Sequence, residues 1–213
     1  MLKKQVVLRY LLWILSGAVC FYVSQPLIRI PLLDQIQRTA DFAMFALLDP
    51  VTAILGIGFS AGIFEETFRF VFKVFLLRPA RCTITQPVLF GLGHGTMEAC
   101  FLILPLLMSG YSAGQLWLGL VERALAIILH VALTILVWNG FQRNKKILFL
   151  ALAITVHGLV DSALPLLLKA NLPAVQIELV FGAAVLLITP YAIYSRRFYI
   201  QGGDPNGKAE NPV

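Results

Sequence analysis

Residues 115–138 read QLWLGLVERALAIILHVALTILVW, an apolar run broken only by Glu122, Arg123 and His130 among its charged or titratable residues. A helix needs about 20 residues to cross the hydrocarbon of a bilayer, and this run supplies them. Comparable runs occur at about 11–33, 43–58, 59–77, 84–108, 146–168 and 174–194, so the expectation is seven membrane-crossing helices. Hydrophobic residues make up 59% of the chain, charged residues 13%, and the mean hydropathy is +0.83. Soluble chains carry about 25% charged residues, and the deficit here recurs along the whole length, which excludes a single anchor on a soluble head. Backbone facing lipid must be paired within a helix or a closed barrel, and long runs without alternating polarity are helices. The fold class is all-α, a polytopic transmembrane helix bundle. Residues 1–200 form one transmembrane domain, and QGGDPNGKAENPV at 201–213 reads as a disordered polar tail.

The division between 43–58 and 59–77 rests only on the small residues Gly56, Gly58, Ser60, Ala61 and Gly62, so a broken or re-entrant helix there is the competing reading. The formal charge of +6 and pI near 9.4 come mostly from Lys and Arg flanking apolar runs, which is a topology signal and not a nucleic-acid footprint. No nucleic-acid partner is expected. With seven spans, Lys73, Arg78 and Arg81, then Arg143, Lys145 and Lys146, then Arg196, Arg197 and Lys208 share one side, expected to be cytoplasmic with the carboxyl terminus. The same count puts Lys3, Lys4 and Arg9 on the other side, in conflict. The first run has the basic start of a signal peptide but continues to Leu33 without a small-residue cleavage site, so it is expected to be a retained span. Cys20, Cys82 and Cys100 have no metal-ligand spacing and imply no disulfide framework.

Function is carried by residues that a bilayer disfavours. Glu65, Glu66, Arg69, His94, Glu98, Glu122, Arg123, His130, His157 and Asp161 all lie within or at the edges of apolar runs. An ionisable group at a span centre costs about 2.5–3.5 kcal/mol on insertion scales, so this many imply an interior polar site. Their spacing puts them on shared helix faces. Glu66 and Glu65 precede Arg69 by three and four residues, so one guanidinium can hold both carboxylates or leave one poised as a base. His94 precedes Glu98 by four, His157 precedes Asp161 by four, and Arg123 precedes His130 by seven. Gly91, Gly93 and Gly95 beside His94 would let helices approach closely.

No serine or cysteine adjoins a histidine in sequence, and neither a soluble zinc-protease motif nor a phosphate-cradling glycine loop is present, so nucleophilic catalysis is not suggested. A glutamate taking a proton from water, with histidines orienting the water and stabilising an oxyanion, would suffice for peptide hydrolysis. The three histidines, His94, His130 and His157, could equally hold a zinc ion and leave Glu65 or Glu66 as base. Spacing alone leaves both open.

The stretches GIFEETFR at 62–69, GLGHGTME at 91–98, Glu122-Arg123-Ala124 with His130, and HGLVD at 157–161 resemble, in order and spacing, the motifs of the YhfC family of bacterial intramembrane proteases. The resemblance runs from about Gly17 to the last span. That family is related to the PrsW proteases and, more distantly, to the CAAX prenyl endopeptidase and bacteriocin-processing superfamily. The resemblance implies Glu65 as the catalytic glutamate, His94 as the water-orienting histidine, and His157 with Asp161 as the oxyanion-stabilising pair. Glu66, Arg69, Glu98 and His130 complete the candidate site. It further implies a metalloprotease in a bacterial plasma membrane, in contact with lipid and acting on a protein or peptide substrate, membrane-embedded or lipidated. Two residues separate Glu66 from Arg69 where the CAAX endopeptidases have three, which turns the arginine by about 100° around the helix, toward a different glutamate. Relative to the family, one leading helix is expected to be absent.

Each feature has a plainer reading. Glu65, Glu66 and Arg69 could be a structural ion pair, His130 a helix-to-helix hydrogen bond, and Glu122 with Arg123 an interface pair. Asp49 and Glu178 lie near span ends, where a solvated role is expected. Two other functions use the same residues: an ion- or proton-coupled transporter, disfavoured by the absence of an internal repeat, and a non-catalytic immunity or partner protein.

Overall fold

The computed structural model describes residues 2–77 and 82–200. Arg78, Arg81, Lys208 and the polar tail lie outside the described residues. Helix α1 (Leu2–Tyr22) passes through a π-helical segment (Val23–Arg29) into α2 (Ile30–Gln37) without leaving the helical path. Pro26 sits inside that segment, has no N–H to donate to the preceding turn, and so stands where the helix widens. Then follow α3 (Ala40–Leu48), α4 (Pro50–Phe75), α5 (Thr85–Met108), α6 (Trp117–Gln142), α7 (Lys146–Lys169) and α8 (Ala174–Tyr194), with a 3-10 turn at Ser195–Phe198. No strand occurs among the described residues.

Six helical stretches are long and apolar enough to span a membrane: Gln5–Gln37, Pro50–Phe75, Thr85–Met108, Trp117–Gln142, Lys146–Lys169 and Ala174–Phe198. The seven apolar stretches thus fold as six span-length helices and the short α3. The chain breaks at Asp49, not among the glycines at 56–62. Pro50 opens α4, and the Asp49 carboxylate accepts from the Thr52 N–H at 3.2 Å, as an N-cap does. That cap and the Thr52 hydroxyl hold the exposed Asp49 carboxyl below the usual range. With six spans, Lys3, Lys4 and Arg9 fall at the same end as Arg143, Lys145, Lys146, Arg196 and Arg197, and the conflict between the terminal charges disappears.

The glycines act through close approach. A Cβ on Gly58 would lie 2.3 Å from Ser162 Oγ, and one on Gly62 would lie 2.8 Å from the Ile154 carbonyl, both on α7. A Cβ on Gly17 would stand 1.9 Å from the Phe90 carbonyl, and one on Gly93 the same distance from the Ile14 carbonyl, so α1 and α5 meet main chain to main chain. Gly91 and Gly95 face the other way, with Val131 Cα and Ile127 Cα of α6 at 2.6 and 2.9 Å from such a Cβ. His94 therefore rides on a helix clamped between α1 and α6 with no side chain as a spacer.

Packing is densest in one half of the bundle. Phe72, Phe90, Leu133, Val137, Trp138 and Phe141 are buried together there, with Phe90 and Trp138 ring centroids 5.6 Å apart. The outward surface is apolar: Leu186 and Leu187 on α8 are 72% and 80% exposed, as side chains bathed in lipid are. Gly93→Val is expected to cost about 1–3 kcal/mol or more through overpacking. Gly56→Val, whose Cβ meets nothing within 4 Å, is expected to leave stability nearly unchanged. Thermal unfolding of both variants in detergent checks the contrast.

Candidate active site

Four of the helices bring their polar residues to one point. Helix α4 supplies Glu65, Glu66 and Arg69, α5 His94, α6 His130 and α7 His157, and all six are 0–3% exposed. The three imidazoles form a row, with ring centroids 5.1 Å apart for His94 and His130 and 5.6 Å for His130 and His157. The Glu65 carboxylate stands against all three: its Oε2 lies 2.8 Å from His94 Nε2, 3.8 Å from His130 Nδ1 and 3.9 Å from His157 Nε2. The other oxygen, Oε1, accepts from the Gln25 amide at 2.5 Å.

Arg69 serves both glutamates. Its Nη1 donates to Glu66 Oε1 and its Nη2 lies 3.2 Å from Glu65 Oε2. The shortened spacing thus leaves the arginine shared rather than moved to another partner. The same Nη2 is 2.6 Å from His130 Nδ1. A guanidinium can only donate, so Nδ1 accepts and the His130 proton sits on Nε2, which meets a Glu98 carboxylate oxygen in direct contact. Glu98 also accepts from Arg123 at 2.6 Å, and Arg123 pairs with Glu122. The shared face of Arg123 and His130 therefore converges on Glu98. His157 Nδ1 donates to Glu66 Oε1 at 2.6 Å, while its Nε2 faces Asp161 at 3.5 Å, with Asp161 partly exposed.

Gln25 and Arg29 were not singled out from the sequence, although both are polar residues four apart inside the 11–33 run. The π-helical segment brings them to α4. Arg29 donates to Ser60 Oγ at 2.9 Å, to the Ile57 carbonyl at 2.8 Å and to Gln25 Oε1 at 2.9 Å. That last bond fixes the orientation of the Gln25 amide and leaves its NH2 to face Glu65.

A cavity of about 410 Å³ adjoins the cluster. Glu65, Glu98 and Asp161 are its acidic lining residues, Arg29 and Arg123 its cations, and most of the remaining wall is apolar. Glu66 is not part of the lining. Glu65, His94 and His130 each offer a ligand atom, and these atoms lie within 4.8 Å of one another. One carboxylate and two imidazoles suit a divalent ion, and of the three Glu65 lines the cavity. Charge balance points the same way: one guanidinium faces two carboxylates at Arg69 and again at Arg123, leaving the buried site short of positive charge. Among the described residues His94 Nδ1 and Glu66 Oε2 are buried without a hydrogen-bond partner. His157 is not in the group of three. The three cysteines are free, with Cys20 and Cys82 buried.

Removing Arg69 would strand two buried carboxylates. Arg69→Ala is expected to lose about 3–5 kcal/mol of stability, and part of that loss is expected to return in an Arg69→Ala, Glu66→Gln double variant. Unfolding curves of the four proteins form the cycle that measures it.

Comparison with known proteins places this geometry. No curated protein and no solved structure matches the chain. The family model described as YhfC intramembrane metalloprotease matches residues 1–113 and 106–182, which include every residue named in the cluster and its cavity. The chain belongs to the YhfC family of intramembrane metalloproteases.

Proposed function

We propose that this integral membrane protein is an endopeptidase that hydrolyses a peptide bond in or beside the bilayer, with Glu65 at the centre of the chemistry. The observation that carries this reading is that Glu65 both touches the histidine cluster and lines the cavity, whereas Glu66 does not reach the cavity. In this reading a water in the cavity gives its proton to the Glu65 carboxylate as its oxygen attacks the scissile carbonyl. Gln25 holds Oε1 and His94 holds Oε2, so the carboxylate has one orientation. Glu66 anchors His157 through Nδ1, and in its imidazolium form the other nitrogen donates to the developing oxyanion, with Asp161 steadying that charge. The proton held by Glu65 then passes to the leaving amine.

Glu65, His94 and His130 would hold a divalent ion through one atom each, leaving the second Glu65 oxygen to act as base, and zinc suits one carboxylate and two imidazoles. Such an ion supplies a more acidic water and a polarised carbonyl. Arg69 holds two of the same donor residues, so loading requires the guanidinium to yield them and keep Glu66. The packed aromatic floor beneath the cluster favours hydrolysis over ion conduction, which needs a polar path on both sides. We place the protein in a bacterial plasma membrane, with the basic loops and the carboxyl terminus cytoplasmic.

Glu65→Gln is expected to lower hydrolysis of a membrane-reconstituted reporter by about 10²-fold or more while the protein stays folded. Undiminished cleavage would remove Glu65 from the mechanism. Purified protein is expected to carry zinc, detectable by plasma mass spectrometry, and to lose it in His130→Ala but retain it in His157→Ala. Equal metal content in all three proteins would overturn the ligand assignment.

A further inference from the structure

The cavity leaves the cluster in one direction. On α4 its lining residues Ile57 and Ala61 precede Glu65, on α5 Phe101 follows His94, on α6 Arg123 precedes His130, and on α7 Leu164 follows His157. Because neighbouring spans alternate in direction, all of these steps lead to the same end of the bundle. It is the end where α3 meets α4, where residues 109–116 join α5 to α6, and where residues 170–173 join α7 to α8. Toward the opposite end the way is filled by Phe72, Phe90, Leu133 and Trp138, each 9% exposed or less.

The two ends differ in charge. The packed end has Lys3, Lys4 and Arg9 on α1 together with Arg143, Lys145, Lys146, Arg196 and Arg197. The cavity end has Arg38 and Lys169 at the helix ends and Arg29 and Arg123 in the cavity wall, with Arg38 paired to Asp34 at 2.8 Å beside the further acids Asp41 and Asp49. A basic excess in short loops marks the cytoplasmic side. Depth adds a second constraint: Glu65 lies 15 residues along α4 from Pro50, about 22 Å at the helical rise. A folded aqueous loop does not reach that far between mostly apolar walls, but an extended or unwinding apolar segment does.

We infer that the cavity is the entry path for substrate and opens on the extracytoplasmic face, so that the substrates are polypeptide segments inserted in the membrane and cleaved from its outer half. The substrate class rests on the peptidase reading above; the side of access does not.

Side-specific thiol labelling separates the two. In a Cys100→Ser background, in which Cys20 and Cys82 are fully buried, single cysteines are placed at Ile57 or Leu164 in the cavity wall. Ser112→Cys and Lys145→Cys mark the two ends. A membrane-impermeant maleimide added to intact cells is expected to label Ile57→Cys, Leu164→Cys and Ser112→Cys and to miss Lys145→Cys, with the pattern reversed in inverted vesicles. Cavity positions labelled together with Lys145→Cys, or labelled from neither side while Ser112→Cys reacts, would overturn the inference. In the second arm, external maleimide is expected to abolish reporter cleavage by Leu164→Cys and to spare the background protein. Labelling without loss of cleavage would overturn the entry path. If the background protein cleaves no membrane reporter at all, the peptidase reading and its substrate class fall, while the labelling pattern still decides which face the cavity opens on.

Discussion

Two carboxylates and one guanidinium, fully enclosed in an apolar bundle, set the terms for everything around them. Glu66 is sealed from solvent and Glu65 meets it only through the cavity, so their partners must come from the side chains packed around them. Arg69 satisfies both acids from their own helix, and His94, His130 and His157 reach the same two carboxylates from three further helices. The glycines of α1, α4 and α5 follow from the same demand, since imidazoles reach a shared carboxylate only when the helices that bear them nearly touch. Folding and chemistry therefore draw on the same contacts, and a helix that slipped by one turn would unpair a charge before it opened a void.

Much of this was legible in the sequence because a charged residue in a 20-residue apolar run is a signal with little background. Glu65, Arg69, His94, His130 and His157 were each found that way, and the structure brings them within contact of one another. Spacing foretold that Arg123 and His130 share a face, and both meet Glu98. The position of the second helix break was misread because glycine and serine look alike whether they end a helix or let two helices touch. Only the neighbours of Gly58 and Gly62 on α7 tell these cases apart. Asp49 followed by Pro50 carried the local signal for the true start of α4.

Gln25 and Arg29 escaped for a different reason. Their place opposite Glu65 depends on a widened turn around Pro26, and a helix of regular pitch drawn through residues 11–33 does not foretell where such a turn points its side chains. The grouping of His94 and His130 with Glu65, rather than with His157, was also closed to spacing. His157 also faces Glu65, at 3.9 Å through Nε2, while its Nδ1 is held by Glu66. Partners three or four residues apart can be read along a chain; partners tens of residues apart depend on the depth at which each helix sits.

The main-chain contact between α1 and α5 has a consequence for how the protein lives in a real bilayer. Where Gly17 and Gly93 meet the opposing carbonyls there are no rotamers to adjust, so this seam behaves as a stiff joint. The half of α5 beyond Gly95 has no buried residue and rests against its neighbours far more loosely. A bilayer that thins or thickens with lipid composition or temperature will therefore be accommodated by tilting these looser ends, with the histidines held still. Membrane thickness would then act on the width of the opening and not on the cluster at its base.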